Sequence, residues 1–132
     1  MKPDYIYPDE CYAIRGALFE VHKNLGIGFT EDIYQSALEI ELNTRGIPYR
    51  SQQEFTISYK GIPLDKTFRV DIVCYEKIII ELKAVKSILT EHQAQLINYL
   101  RVANFKLGFL VNFNEHPTID PQQYLNKHHR TF

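Results

Sequence analysis

Among its 132 residues the chain has no tryptophan, two cysteines and one methionine. Cys11 and Cys74 stand alone, without a CxxC or a Cys/His spacing, so reduced thiols are expected rather than a disulfide framework or a zinc site. No apolar stretch approaches the roughly 20 residues that a membrane-spanning helix needs. The opening "MKPDYIYPDE" lacks the apolar segment of a signal peptide, which makes cytoplasmic residence, away from any membrane, the expectation. A basic excess is missing too, the formal net charge being −1. Proteins that hold nucleic acid mainly by neutralising phosphates are usually basic, so any such contact must be local. The cations best placed for it are Lys77, Lys83, Lys86, Arg101 and Lys106, with Lys127 and Arg130 in the tail. No repeat, low-complexity tract or Gly/Ser linker divides the chain, and residues 1–132 read as a single domain large enough for its own core. With 45% hydrophobic and 23% charged residues it is neither disordered nor fibrous.

From Asp9 to about Leu25, apolar residues at Ile14, Ala17, Leu18, Val21 and Leu25 recur with a helical period, started by Pro8 and Asp9 and stopped by Gly26. After the break "GIGFTED", a second helix is predicted from Thr30 as N-cap to Arg45. It carries Tyr34, Leu38 and Leu42 beside Ile33, Ala37 and Ile40 as adjoining apolar stripes, and Gly46 and Pro48 end it. From about Gln53 the period becomes two: Phe55, Ile57 and Tyr59 mark a half-buried strand, and "KGIPLD" is turn chemistry. A hairpin follows in "RVDIVCYEKIIIELKAV" (69–85). Thr90–Ala103 is again helical, with Leu96, Leu100 and Ala103 on one side, and "LGFLVNF" (107–113) is a buried strand. The predicted order is α-α-β-β-β-α-β, an α/β or α+β sandwich. Short connections make the first three strands an antiparallel meander, and the helix before the last strand permits a parallel crossover.

The hairpin poses a chemical question, because Asp71, Glu81 and Lys83 sit amid valine and isoleucine. With its turn centred on Glu76, Asp71 opposes Glu81, Arg69 opposes Lys83 and Val73 opposes Ile79. Val70, Ile72, Cys74, Ile78, Ile80, Leu82 and Ala84 then share an apolar face, and every charge lands on the other. Opposed Cβ atoms lie about 4.5–5.5 Å apart, and like charges there are destabilising. Two carboxylates so placed require protonation, a cation or abundant solvent. A hard divalent ion such as Mg²⁺ suits them, since it takes oxygen ligands, often one or two carboxylates with waters and phosphate oxygens. Lys83 would point into the same space. The plainer reading is a solvent-facing surface with Arg69 and Lys83 neutralising the acids, and a two-residue turn would separate Asp71 from Glu81 altogether.

Asp on one strand and Glu-x-Lys on the next, with an acidic helix before and a helix and strand after, resembles the PD-(D/E)xK nuclease superfamily, the restriction-endonuclease-like fold. Here the halves are "VD" (70–71), without the proline, and "ELK" (81–83). "GFTEDIY" (28–34) further resembles the GxxExxY family assigned to that superfamily, through Gly28, Glu31 and Tyr34. The likeness extends through "FEVHKNLGIG", "YKG", "ELKAV", "AQLINYL" and "LGFLVNF".

The resemblance implies Asp71 and Glu81 as metal acids, Lys83 as the catalytic lysine, Glu31 as the helical acid and the Leu82 carbonyl as a further metal ligand. Gln95 matches a glutamine common near such sites. It implies Mg²⁺, with Mn²⁺ as a substitute, hydrolysing phosphodiester bonds of DNA or RNA. Relatives often pair to act on duplexes, which implies a homodimer. The alternative is a catalytically silent module of the same fold that binds nucleic acid or protein, a use to which nine tyrosines would be suited. A carboxylate-pair glycosidase fits less well, without tryptophan as a sugar platform and with Lys83 beside Glu81 favouring an anionic substrate. Bland roles are open to the rest: Tyr34 packs, Glu31 favours the helix dipole, His22 lies on a helix surface or behind a site, and His92, His128 and His129 are solvated.

Overall fold

The computed structural model describes residues 6–131, so the first half of "MKPDYIYPDE" lies outside the described residues. Helices α1 (Pro8–Leu25) and α2 (Glu31–Thr44) precede strands β1 (Tyr49–Tyr59), β2 (Ile62–Cys74) and β3 (Ile78–Lys83). Helix α3 (Thr90–Ala103) then leads to β4 (Leu107–Asn112) and a short β5 (Gln122–Leu125). The strands form one sheet in chain order. Neighbours are antiparallel except β3 and β4, which run parallel because α3 carries the chain back across the sheet. The fold is thus the expected mixed α+β architecture, extended by β5. Among the described residues no helix is long and apolar enough to cross a membrane.

Helices cover both faces. On one, Ile14, Leu18, Tyr34 and Leu38 of α1 and α2 pack on Ile72, Ile78, Ile80, Leu82 and Phe109. On the other, Leu96 and Leu100 of α3 pack on Val70, Val73, Ile79 and Leu110. β3 and β4 are buried on both sides, hence their nearly continuous apolar sequences "IIIELK" and "LGFLVN". Gly108 lets α3 come close: a Cβ there would lie 2.9 Å from Leu96 Cδ1 and 3.3 Å from the Ile79 carbonyl oxygen.

Four expectations are revised. The charged side of the hairpin is not wholly solvent-facing: Val73 and Ile79 on it pack with Leu96 and Leu100 of α3, and Glu81 is buried. Val70 does not share a face with Ile72 but packs in the α3 cluster, because the regular alternation of β2 breaks at Asp71. On α2 only the stripe Tyr34, Leu38 and Leu42 is buried; Ile33 and Ile40 are 43% and 68% exposed, since the helix meets α1 and the sheet along one stripe alone. Lys77, counted among the cations for phosphate, is instead spent on structure: its ammonium pairs with Glu10 at 2.6 Å and lies 4.1 Å from the Tyr7 ring centroid, fastening the β2–β3 turn to α1.

Candidate active site

The β2–β3 ladder pairs Val73 with Ile79 and Ile72 with Ile80, the register read from the sequence. Beyond that pair the carboxylates take over the bonding. The Asp71 N–H donates to Glu81 Oε1 at 2.9 Å, and the Leu82 N–H donates to Asp71 Oδ2 at 2.7 Å. Each acid therefore reaches across and accepts from the backbone of the opposite strand. The other edge of Asp71 is treated alike: its carbonyl accepts from Gln35 Nε2 at 3.1 Å, and Gln52 Nε2 donates to Gln35 Oε1 at 3.0 Å. Gln52 also offers its side chain to the Asp71 carboxylate. Opposite Asp71 the β1–β2 register skips Gln52, whose φ of 52° is left-handed. A non-glycine residue there costs on the order of 1–3 kcal/mol, strain of the kind that gathers at functional sites.

Glu81 is 6% exposed and Asp71 half-buried. Burial, reinforced by the neighbouring Asp71 charge, pushes the Glu81 carboxyl from its ordinary 4.5 up to about 8. Asp71 is also raised, by burial first, against which the Leu82 N–H acts, with the Glu31 charge raising it further. Lys83 lowers both, yet among the described residues neither acid has a lysine, arginine or histidine within ion-pair distance.

Glu31 is the first residue of α2, and its Oε1 accepts from the Ala84 N–H at 3.4 Å, just beyond "ELK". Gly28 has a φ of 104°, a conformation a side chain disfavours. The Tyr34 hydroxyl donates to the Gly26 carbonyl at 2.6 Å while its ring stacks on Phe113 at 4.5 Å. These residues hold the loop that delivers Glu31. Thr30 is the N-cap, although its hydroxyl bonds the Asp32 carboxylate instead of the helix backbone.

Glu31, Asp71, Glu81 and Lys83 are thus brought within mutual electrostatic influence. Exposed Gln95 joins them at one remove: it hydrogen-bonds the Tyr99 hydroxyl, which the Glu81 and Asp71 charges in turn affect. Leu82 is tied in through its N–H. Tyr99, Gln35, Gln52 and Asn112 were not anticipated. Gln35 was detectable, one turn after Glu31 on the same helix face. Gln52 gives no signal in its own sequence. Buried Asn112 accepts from the Val85 N–H at 3.1 Å and donates to the Val85 carbonyl at 2.9 Å, locking the chain just past the site.

The other candidates take structural places. His22 is buried, with Nε2 2.8 Å from the Glu115 carbonyl oxygen, and joins α1 to the loop after β4. His92 is not merely solvated; its Nδ1 accepts from the Leu89 N–H at the start of α3. Cys74 lies in the core and burial pushes its thiol up to about 12, which rules it out as a nucleophile at neutral pH.

The donor set fits a hard divalent cation: two adjacent carboxyl groups, each spending one oxygen on a backbone N–H and so leaving the other for an ion. Among the described residues no three Asp, Glu, His or Cys side chains form a metal cluster by themselves, so such an ion would complete its shell with water or substrate.

Comparison with known proteins agrees with this fold. The chain resembles the crystal structure of SSO0001, with 25% identity and a TM-score of 0.58 over 72% of this chain and 50% of that one. It therefore spans about half the length of that protein. No curated protein matches. The family model for the PD-(D/E)XK nuclease superfamily matches residues 8–124, from the start of α1 into β5. With the split hairpin carrying its Asp and its Glu-x-Lys, and with the mixed sheet between helices, the chain belongs to the PD-(D/E)XK nuclease superfamily.

Proposed function

We propose that the protein is a small Mg²⁺-dependent nuclease of the GxxExxY kind, with Mn²⁺ able to replace Mg²⁺. The observation that carries this reading is the Asp71–Glu81 pair: one acid buried and the other half-buried, each opposing the other's ionisation, held by each other's strand, and without an ion-pair partner among the described residues. A structural role would not require two carboxylates at the edge of a hydrophobic core, where their ionisation opposes burial. A divalent ion on these carboxylates and the Leu82 carbonyl would lower the pKa of an attacking water and neutralise charge on the phosphate. Lys83 contributes fixed positive charge beside the reacting phosphorus. Glu31 adds negative charge that favours cation binding, and Gln95 with Tyr99 orients water or a phosphate oxygen. The roles given to Gly28, Glu31 and Tyr34 support the GxxExxY reading, since each serves the placement of one acid.

The test is hydrolysis of labelled single- and double-stranded DNA and RNA with Mg²⁺ or Mn²⁺. Cleavage that falls at least about a hundredfold in Lys83→Ala and Asp71→Asn is expected. No cleavage, or cleavage indifferent to both substitutions, overturns the reading and leaves a silent nuclease-fold module.

A further inference from the structure

Strand β1 makes one detour. The pairs Ser51–Ile72 and Gln53–Val70 keep a single register, so no residue is inserted between them, yet Gln52 leaves the ladder with a left-handed φ of 52°. A bulge turns a strand in order to absorb an extra residue. Here there is none to absorb. The turn instead serves the Gln52 side chain, whose place in the register is opposite Asp71 and which meets that residue through Gln35.

Gln35 links three elements. From α2 its Nε2 donates to the Asp71 carbonyl on β2 at 3.1 Å, and its Oε1 accepts from Gln52 Nε2 on β1 at 3.0 Å. An amide offers a donor and an acceptor on one group, where a carboxylate would only accept and an ammonium only donate. Gln52 has a second N–H, and its side chain is offered to the Asp71 carboxylate. Asp71 is thus held at its carbonyl and at its carboxylate by two side chains from two other elements. Of the roughly four lone-pair sites of a carboxylate, the Leu82 N–H and Gln52 occupy two, which leaves the others for an ion. Glu31, one turn before Gln35 on the same face of α2, reaches the Ala84 N–H. One helix therefore sets its own acid and, through Gln35, the acid of β2 in a common frame.

Stability does not account for this arrangement. Gln52 is exposed and Gln35 half-buried, so water competes for their bonds and each contributes little, while the left-handed turn opposes folding. Orientation does account for it. A hard cation such as Mg²⁺ demands near-ideal octahedral geometry, and the groups that orient a ligand commonly govern affinity by about 10–100-fold.

Resting on the reading of Asp71 and Glu81 as a divalent-cation site, we infer that Gln35 and Gln52 are positioning residues of that site, fixing the Asp71 carbonyl and carboxylate together in the orientation a cation requires.

The test is calorimetric titration of the full chain with Mn²⁺, beside urea unfolding of the same variants without metal. Both glutamines are neutral, so replacing them leaves the charge of the site unchanged and a loss of affinity reports orientation. Gln52→Gly removes the amide but suits the left-handed φ. Its Mn²⁺ affinity is expected to fall about tenfold or more, with the urea midpoint unchanged or raised. Gln35→Met keeps the length of the side chain and should lose a similar factor, and the double variant should lose little more, because the two amides act as one chain. Ser51→Ala, at the exposed neighbouring position, should bind like the parent. Parent-like affinity in Gln52→Gly and Gln35→Met, an affinity loss accompanied by a fall in the urea midpoint of Gln52→Gly, or fully multiplying losses in the double variant would each overturn the inference. Binding that is lost in Asp71→Asn but parent-like in both glutamine variants would defeat the positioning role alone. No Mn²⁺ binding by the parent chain would overturn the cation site and this inference with it. Binding weakened in both variants, with no nucleic acid cleaved, would uphold the positioning role and defeat the nuclease reading alone.

Discussion

Burial of Asp71 and Glu81 beside each other determines how the metal-free protein should respond to pH. The folded chain holds a proton on Glu81 up to about pH 8, whereas the unfolded chain releases it near 4.5. The folded state binds more protons in that window, so stability from this group is complete below the lower value and is lost as pH rises through the upper one. A decline of a few kcal/mol across pH 5–8 is expected in urea unfolding of the metal-free protein. Glu81→Gln should flatten it, and an unchanged slope in that variant would show that Glu81 is not buried beside a second acid. The nearness of the two acids was legible in the sequence, because a turn centred on Glu76 sets the register from Cys74–Ile78 to Ile72–Ile80 and so brings Asp71 next to Glu81. The sequence could not reveal that Glu81 is buried, since nothing local to "IIIELK" says which face other elements will cover.

At the scale of the elements, the site depends on the loop between α1 and α2. Tyr34 anchors it twice, by its hydroxyl on the Gly26 carbonyl and by its ring on Phe113. Tyr34→Phe keeps the stack and removes the bond, at an expected cost of about 1 kcal/mol in unfolding free energy. A change below a few tenths would mean that the hydroxyl is equally well served by water. Helix and strand positions were largely legible, as in α1, where Ile14, Leu18 and Val21 announce the period and line the core. β5 was not, because the short, polar "QQYL" carries no alternation and becomes a strand only by pairing with β4. Nor was the kink at Asp71, which arises from Gln35 and Gln52 meeting it from two other elements. Long-range polar contacts of this kind leave no period in the sequence.

Across the whole molecule, the acid pair lies where β2 and β3 part, with Glu31 of α2 and Tyr99 of α3 within electrostatic reach of it. Chain order and the residues of the acid set were readable because they are local and patterned. The placing of the tail was not, as it depends on Asn104 and Asn126 folding residues 126–130 back onto α3. The account rests on Asp71 and Glu81 forming one cation site whose protonated acid must ionise to accept the metal. Calorimetric titration with Mn²⁺ near pH 7, in two buffers of different ionisation enthalpy, tests this most directly. Binding with release of a substantial fraction of one proton, abolished in Asp71→Asn, is the expected result; no binding, or binding without proton release that survives Asp71→Asn, would contradict it.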